Sequence, residues 1–234
     1  MNIVIILAGG IGTRLGGKIP KQYIEINKKP ILGYCLDKFF ENDVVDAIHI
    51  VADVSWHEYI RTYMEGSKFI SKWKGFSRPG QNRQYSILNA LEDVSKYASD
   101  NDYIMIHDSV RPLISDSFIT CCFERVKGHA GLIPVLQMKD TVYYSEDGNK
   151  ISSLIKRNAV FRGQAPEVFK FKKYYDANKM LLPEKIFSIN GSTEAAILYG
   201  MDVIMVEGDE RNFKITTQED LERFKQIINI QNGD

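Results

Sequence analysis

Cysteine is scarce in this chain, with three in 234 residues: Cys35, Cys121 and Cys122. The count is odd, two are adjacent, and no CxxC pair occurs. That excludes a disulfide framework and a cysteine zinc site, and it suits reduced, buried thiols in a cytoplasmic protein. Net charge is also lacking, because 30 Lys and Arg balance 30 Asp and Glu. A general nucleic-acid binder carries a basic excess, so any working positive charge here must be gathered locally. Long apolar runs are missing. The stretch Ile3–Ala8 has neither the length nor the basic lead-in of a signal peptide, and nothing approaches the ~20 apolar residues that cross a bilayer. Histidine is sparse, and His49, His57 and His129 have no partner pattern. Repeats, low-complexity tracts and Pro/Gly-rich linkers are absent. With 44% hydrophobic residues, the chain reads as one folded domain over 1–234.

The sequence does hold alternating apolar segments. Ile3–Ala8 is an unbroken β-branched run, as expected of a strand covered on both faces. Strands are expected again at Ala47–Ala52, Tyr103–Ile106, Gly131–Leu136 and Val203–Val206. Helical spacing falls between and after them, at Ile31–Phe40, Trp56–Met64, Ser86–Val94, Phe118–Val126, Lys172–Leu181, Ser192–Tyr199 and Thr217–Ile228. This order predicts an α/β fold, a Rossmann-like doubly wound and mostly parallel sheet. Ligands on such sheets lie beyond the carboxyl ends of the strands. Residues 138–162 break the rhythm. Two short strands flank the turn Glu146–Asn149, forming a hairpin that either lies on its own domain or projects as an arm onto a second subunit.

Four segments can carry chemistry. After the first strand, Gly9, Gly10 and Gly12 let backbone amides approach an anion, with Arg14, Lys18 and Lys21 as cations on the rim. Such a cradle suits a triphosphate; the bland alternative is a glycine turn with solvated cations. The run is neither a GxGxxG motif, since Leu15 stands at the third glycine, nor a complete P-loop, since Ile19 replaces the Mg2+-binding hydroxyl. His107-Asp108-Ser109-Val110-Arg111-Pro112 follows a buried strand, where Asp108 is a natural Mg2+ or ribose ligand or else a turn residue, and His107 reads as structural. Arg83 and Ser86 share one face at the start of a helix. In Asn212-Phe213-Lys214-Ile215, a strand would point Lys214 away from its neighbours, and alone it reads as an edge-strand lysine.

Taken in order, these segments resemble the CTP-dependent cytidylyltransferases of polyol phosphates, the methylerythritol-phosphate and ribitol-phosphate enzymes. The matching pieces are Ala8–Arg14 with Pro20-Lys21-Gln22, Arg83 with Ser86, and His107-Asp108 with Arg111-Pro112. Asp140-Thr141, Arg157, Gln164 with Pro166, and Asn212–Thr217 complete the series. The resemblance implies transfer of CMP from CTP to a polyol phosphate with Mg2+, in a homodimer joined through the arm. It implies that Ala8, Gly9, Gly10, Gly12, Arg83 and Ser86 bind the nucleotide, and that Arg14, Lys21 and Lys214 act at the phosphates. It further implies that Asp108 faces the metal, and that Arg111, with Thr141 and Arg157 from the partner's arm, holds the acceptor.

The inventory suits that chemistry. A phosphate acceptor needs neither a strong base nor a protein nucleophile, so cations and Mg2+ act by positioning and electrostatics. The chain departs from the methylerythritol pattern at Gln81-Asn82, Ser109-Val110 and Asn190–Glu194. Those departures favour ribitol 5-phosphate, or a related polyol phosphate of surface polysaccharide, over 2-C-methyl-D-erythritol 4-phosphate. Two other classes stay in view, a non-catalytic nucleotide-binding module and an NAD-dependent oxidoreductase. Asp37 argues against the latter, because it falls in the first helix and not at the end of the second strand.

Overall fold

An unbroken apolar run opens the chain because its strand sits in the middle of a sheet and is packed on both faces. The computed structural model describes residues 1–10, 19–65, 67–68 and 70–232, the last two as backbone only. In it, β1 (Asn2–Leu7) turns Val4 and Ile6 to one layer and Ile3 and Ile5 to the other, and all four are fully buried. Further along the chain come β2 (Glu25–Ile26) and β3 (Lys29–Pro30), a small hairpin of their own. Then β1 pairs in parallel with β4 (Ala47–Val51), and β4 with β5 (Trp73–Ser77). On its other side β1 pairs in parallel with β6 (Tyr103–Asp108).

Three helices cover one face: α1 (Ile31–Glu41), α2 (His57–Met64) and α4 (Asp116–Arg125), contributing Leu32, Ile60 and Ile119. Three cover the other: α3 (Arg83–Val94), α5 (Phe171–Lys179) and α6 (Ser192–Leu198), contributing Ile87, Tyr174 and Ala195. This is the expected doubly wound α/β arrangement. Among the described residues no helix is long and apolar enough to cross a membrane.

The far side of the sheet adds a feature the sequence pattern did not predict. β7 (Gly131–Gln137) does not lie beside β6. Between them runs β11 (Glu167–Lys170), antiparallel to both, and β10 (Phe161–Gly163) continues the same antiparallel line along β7. Gln164-Ala165-Pro166 interrupts the apolar pattern there and hides the strand, since proline cannot donate to a ladder. β12 (Val203–Glu207) then pairs in parallel with the other edge of β7.

The projecting hairpin is present, as β8 (Val142–Tyr144) and β9 (Ser153–Ile155). These strands pair with each other and stand outside the main sheet. Tyr143, Ile151 and Leu154 on this arm are 56%, 67% and 67% exposed, an apolar surface that the chain itself does not cover.

The chain ends in α7 (Gln218–Asn232), whose Leu221, Phe224 and Ile228 form a third small core with Ile26, Ile31 and Ile215. Its start is fixed by side-chain caps. The Asp220 carboxylate accepts from the amides of Thr216 and Thr217, and the Thr217 hydroxyl accepts from the amide of Asp220, a capping box in acidic form. That cap, with the buried Ile215, holds Lys214 one residue outside the core.

Candidate active site

A cleft of about 420 Å³ opens at the carboxyl ends of the central strands, where Leu7, Val51 and Asp108 stand at the tips of β1, β4 and β6. Its first wall is the glycine turn. Gly9 fits where it does because a Cβ would meet the ring of Pro79 at 2.6 Å, whereas Gly10 faces open space. The turn is pinned by the motif that follows it. Gln22 Nε2 donates to the carbonyls of Ala8 and Gly10, both at 2.7 Å, and the Tyr23 hydroxyl donates to Ala8 O at 3.1 Å. Ala8 is therefore buried, with its amide and carbonyl both engaged by the protein; it supports the cleft and does not line it. Gly12 and Arg14 lie outside the described residues.

A second wall is the start of α3. The Asn82 side chain caps the helix by accepting from the amide of Tyr85 at 2.7 Å. The Ser86 hydroxyl accepts from the amide of Gly80 and donates to Asn82 O, both at 2.9 Å, closing the turn. Arg83 is thereby aimed across the cleft. The helix start is capped, but Arg83 is not a solvated residue. Its Nε and Nη2 donate to Asp108 Oδ1 at 3.2 and 3.0 Å, and its Nη1 donates to the Ser192 hydroxyl.

The third wall comes from the other end of the chain. Lys214 does not sit in an edge strand; residues 212–216 run without regular structure along the loop that follows β6. The amide of Ile215 donates to Val110 O at 2.9 Å, and Arg111 Nη1 donates to Asn212 O at 2.8 Å. Asn212 in turn donates to Ala165 O at 2.8 Å. This docking brings Lys214 Nζ to 3.0 Å from Asp108 Oδ2, while Lys21 Nζ donates to Ile215 O at 2.8 Å. Lysines 193 residues apart in sequence thus share one cleft.

Asp108 is the hub of this cluster. Arg83 and Lys214 bind its two oxygens, and Arg111 Nε stands 3.6 Å from Oδ2. Burial opposes its ionisation, but the three cations outweigh burial and hold the carboxyl well below the usual carboxylate range. For Arg83, burial works against the charge, and the carboxylates of Asp108 and Glu167 more than restore it. Arg111 is pulled down by burial. The buried imidazole of His107 is pushed down to about 4, chiefly by desolvation, and donates to Arg111 O at 3.1 Å. It is a neutral structural residue, as expected. Around the cleft, Arg83, Arg111 and Lys214 share the Asp108 carboxylate, Glu167 stands beside Arg83, and Lys21 lines the same cleft. That cationic excess in a partly closed site suits an anionic ligand.

Two expected acceptor residues are elsewhere. Thr141 and Arg157 are exposed on the arm, and the Arg157 guanidinium donates to Lys139 O at 2.8 Å. Arg157 lines a different and larger cavity, about 970 Å³, between the arm, β7 and β12. Within one chain they do not join Asp108; Arg111 does. Conversely, Glu167 carries no signal in the sequence, and Ser192 shows there only as part of the Asn190–Glu194 departure. Gln22 was legible only as part of the Pro-Lys-Gln string.

No group of three or more His, Cys, Asp or Glu side chains that could cage a metal occurs among the described residues. One ionised carboxylate at a strand end is nevertheless what Mg2+ uses when substrate phosphates and water complete its shell. Asp108 fits that limited role.

Residues 2–229 match the family model of 2-C-methyl-D-erythritol 4-phosphate cytidylyltransferase (IspD). The chain is 31% identical to a ribitol-5-phosphate cytidylyltransferase of Streptococcus agalactiae serotype V, over 100% of this chain and 98% of that one. It is 35% identical to a 2-C-methyl-D-erythritol 4-phosphate cytidylyltransferase of Clostridium beijerinckii, over 94% of this chain and 95% of that one. The crystal structure of the Francisella tularensis 2-C-methyl-D-erythritol 4-phosphate cytidylyltransferase is also similar, with a TM-score of 0.79 and 26% identity, over 97% of this chain and 99% of that one.

Proposed function

Because the chain belongs to the IspD family of cytidylyltransferases, we propose that it transfers CMP from CTP to a polyol phosphate, releasing pyrophosphate. One observation carries the site assignment: Lys21 and Lys214, distant in sequence, line one cleft at the sheet's carboxyl edge, Lys214 on Asp108 and Lys21 on the carbonyl of Ile215. In the reaction an acceptor phosphate oxygen attacks the α-phosphorus of CTP, a P–O bond forms, and the bond to the β-phosphate oxygen breaks. Two anions must be brought together, and charge grows on the five-coordinate phosphorus. Lys21 and Lys214 stabilise that charge, with Arg14 assigned the same part. Gly9, Gly10 and Gly12 offer backbone amides to the phosphates, Arg83 and Ser86 hold the nucleotide, and Arg111 faces the acceptor. Asp108 would hold Mg2+, which when bound screens the triphosphate and favours the departing pyrophosphate.

The acceptor is ribitol 5-phosphate or a related polyol phosphate. The full-length similarity to the streptococcal ribitol-5-phosphate enzyme, together with Ser109-Val110 and Asn190–Glu194, supports this reading. The 35% identity to the Clostridium protein supports 2-C-methyl-D-erythritol 4-phosphate as the second candidate. A coupled pyrophosphate assay across ribitol, methylerythritol and glycerol phosphates, each with all four nucleoside triphosphates and Mg2+, tests both. Turnover is expected with CTP and one polyol phosphate only. A chain that turns over no pair refutes the reading.

The arm is the homodimer contact, and it delivers Thr141 and Arg157 to the partner's acceptor site. The support is its uncovered Tyr143, Ile151 and Leu154 and the exposure of both acceptor residues. Leu154→Asp is expected to shift the protein toward monomer in light scattering and to lower turnover ~10²-fold through lost positioning. CTP binding by calorimetry is expected to stay near wild type, since the nucleotide cleft lies within one chain.

A further inference from the structure

Glu167 occupies the first position of β11, next to the cleft residue Arg83, and is 8% exposed. One carboxylate oxygen, Oε1, accepts from the Thr193 hydroxyl at 3.3 Å. The other, Oε2, has no hydrogen-bond partner and stands 3.9 Å from Arg83 Nη2. Arg83 is thus flanked by two carboxylates on adjacent strands, Asp108, which lines the cleft, and Glu167, which does not. Its remaining nitrogen reaches Ser192, the neighbour of Thr193 in the first turn of α6. The arrangement joins the starts of α3, β11 and α6 through one guanidinium.

A buried carboxylate with an unfilled acceptor is a poor device for stability. When Glu167 alone is neutralised, Arg83 keeps Asp108 as its counter-ion, so no buried charge is left unpaired. Its value lies in where it holds the arginine. A nucleotide phosphate entering the cleft competes with Asp108 for Arg83, and it draws the guanidinium forward. A second carboxylate beside Arg83 resists that pull and keeps its N–H fork facing the cleft. We propose that Glu167 is a positioning residue that acts through Arg83 to set nucleotide affinity in the cleft. The proposal rests on the cytidylyltransferase reading for its kinetic arm and on CTP binding alone for its other arm.

The test is Glu167→Gln, alone and combined with Arg83→Gln, measured by CTP calorimetry, steady-state kinetics and thermal unfolding. Glu167→Gln is expected to weaken CTP binding and raise the KM for CTP ~10-fold, the size of one charge-assisted contact, with kcat changed less than twofold. Its melting temperature is expected to be unchanged or higher. In the Arg83→Gln background the second substitution is expected to change CTP binding by less than about twofold, since partners that act as one unit are not additive. Wild-type CTP affinity in Glu167→Gln overturns the proposal. So does a full tenfold effect that persists without Arg83, or a variant that fails to fold, which would mark the carboxylate as structural. If the wild-type chain turns over no acceptor, the functional reading fails, and the calorimetric cycle still decides the role of Glu167.

Discussion

Lys21→Ala and Lys214→Ala are each expected to lower turnover at least ~10²-fold, the loss typical of removing one preorganised contact to developing charge. Both amines sit in the cleft and neither belongs to the apolar core. Lys21 donates to the Ile215 carbonyl and Lys214 to Asp108, so each is held within reach of a ligand by a contact that a phosphate can replace. Ile215 itself is fully buried and Tyr23 nearly so, which means that the backbone carrying each lysine stays in place when the side chain is cut. Melting temperatures close to wild type, with kcat falling more than KM rises, are therefore expected. The measurement is pyrophosphate release beside thermal unfolding. A variant that folds and turns over at a near-normal rate removes that lysine from the mechanism.

Asp108→Asn is expected to combine two losses. Removing the charge leaves Arg83, Arg111 and Lys214 without their shared partner, and breaking a buried pair from one side commonly costs ~3–5 kcal/mol of stability. It also removes the carboxylate assigned to Mg2+, so turnover is expected to fall ~10²–10³-fold. Calorimetry without Mg2+ separates the effects: three released cations are expected to bind metal-free CTP or pyrophosphate at least as tightly as wild type. A stable, active Asp108→Asn protein contradicts the assignment. The wild-type stability has a matching pH signature. A carboxyl held below its ordinary value lends stability that is complete above the unfolded-state value near ~4 and drains away in acid. Unfolding free energy is expected to be lower at pH 3 than at pH 6, and Asp108→Asn is expected to flatten that slope.

The strands and helices that build the doubly wound core were readable because their signals are local. Ile3 to Ala8 is apolar at every position, and Ile87, Leu88, Leu91 and Val94 mark one helical face. β11 was not readable, since its four residues begin with a glutamate and follow a proline. β5 was missed for a different reason. It pairs through one edge only, and Lys74 and Gly75 dilute its pattern. The site was legible as residue types but not as geometry. Lys214 looked like an edge lysine because nothing nearby in sequence says that Asn212 and Ile215 dock on the loop after β6. Gln22, which pins the carbonyls of Ala8 and Gly10, shows its part only when the turn is folded back on itself.

The docking of residues 212–216 carries a consequence for how the protein matures. A ribosome adds Lys214 106 residues after Asp108, and the helix residues that anchor it in the third core follow later still. A nascent or truncated chain can complete the central strands and gather Arg83 and Arg111 around Asp108, yet it lacks the last cation. Completion of the cleft therefore waits for the segment after β12, and its recovery on refolding registers the docking of residues 212–216 on the loop that follows β6.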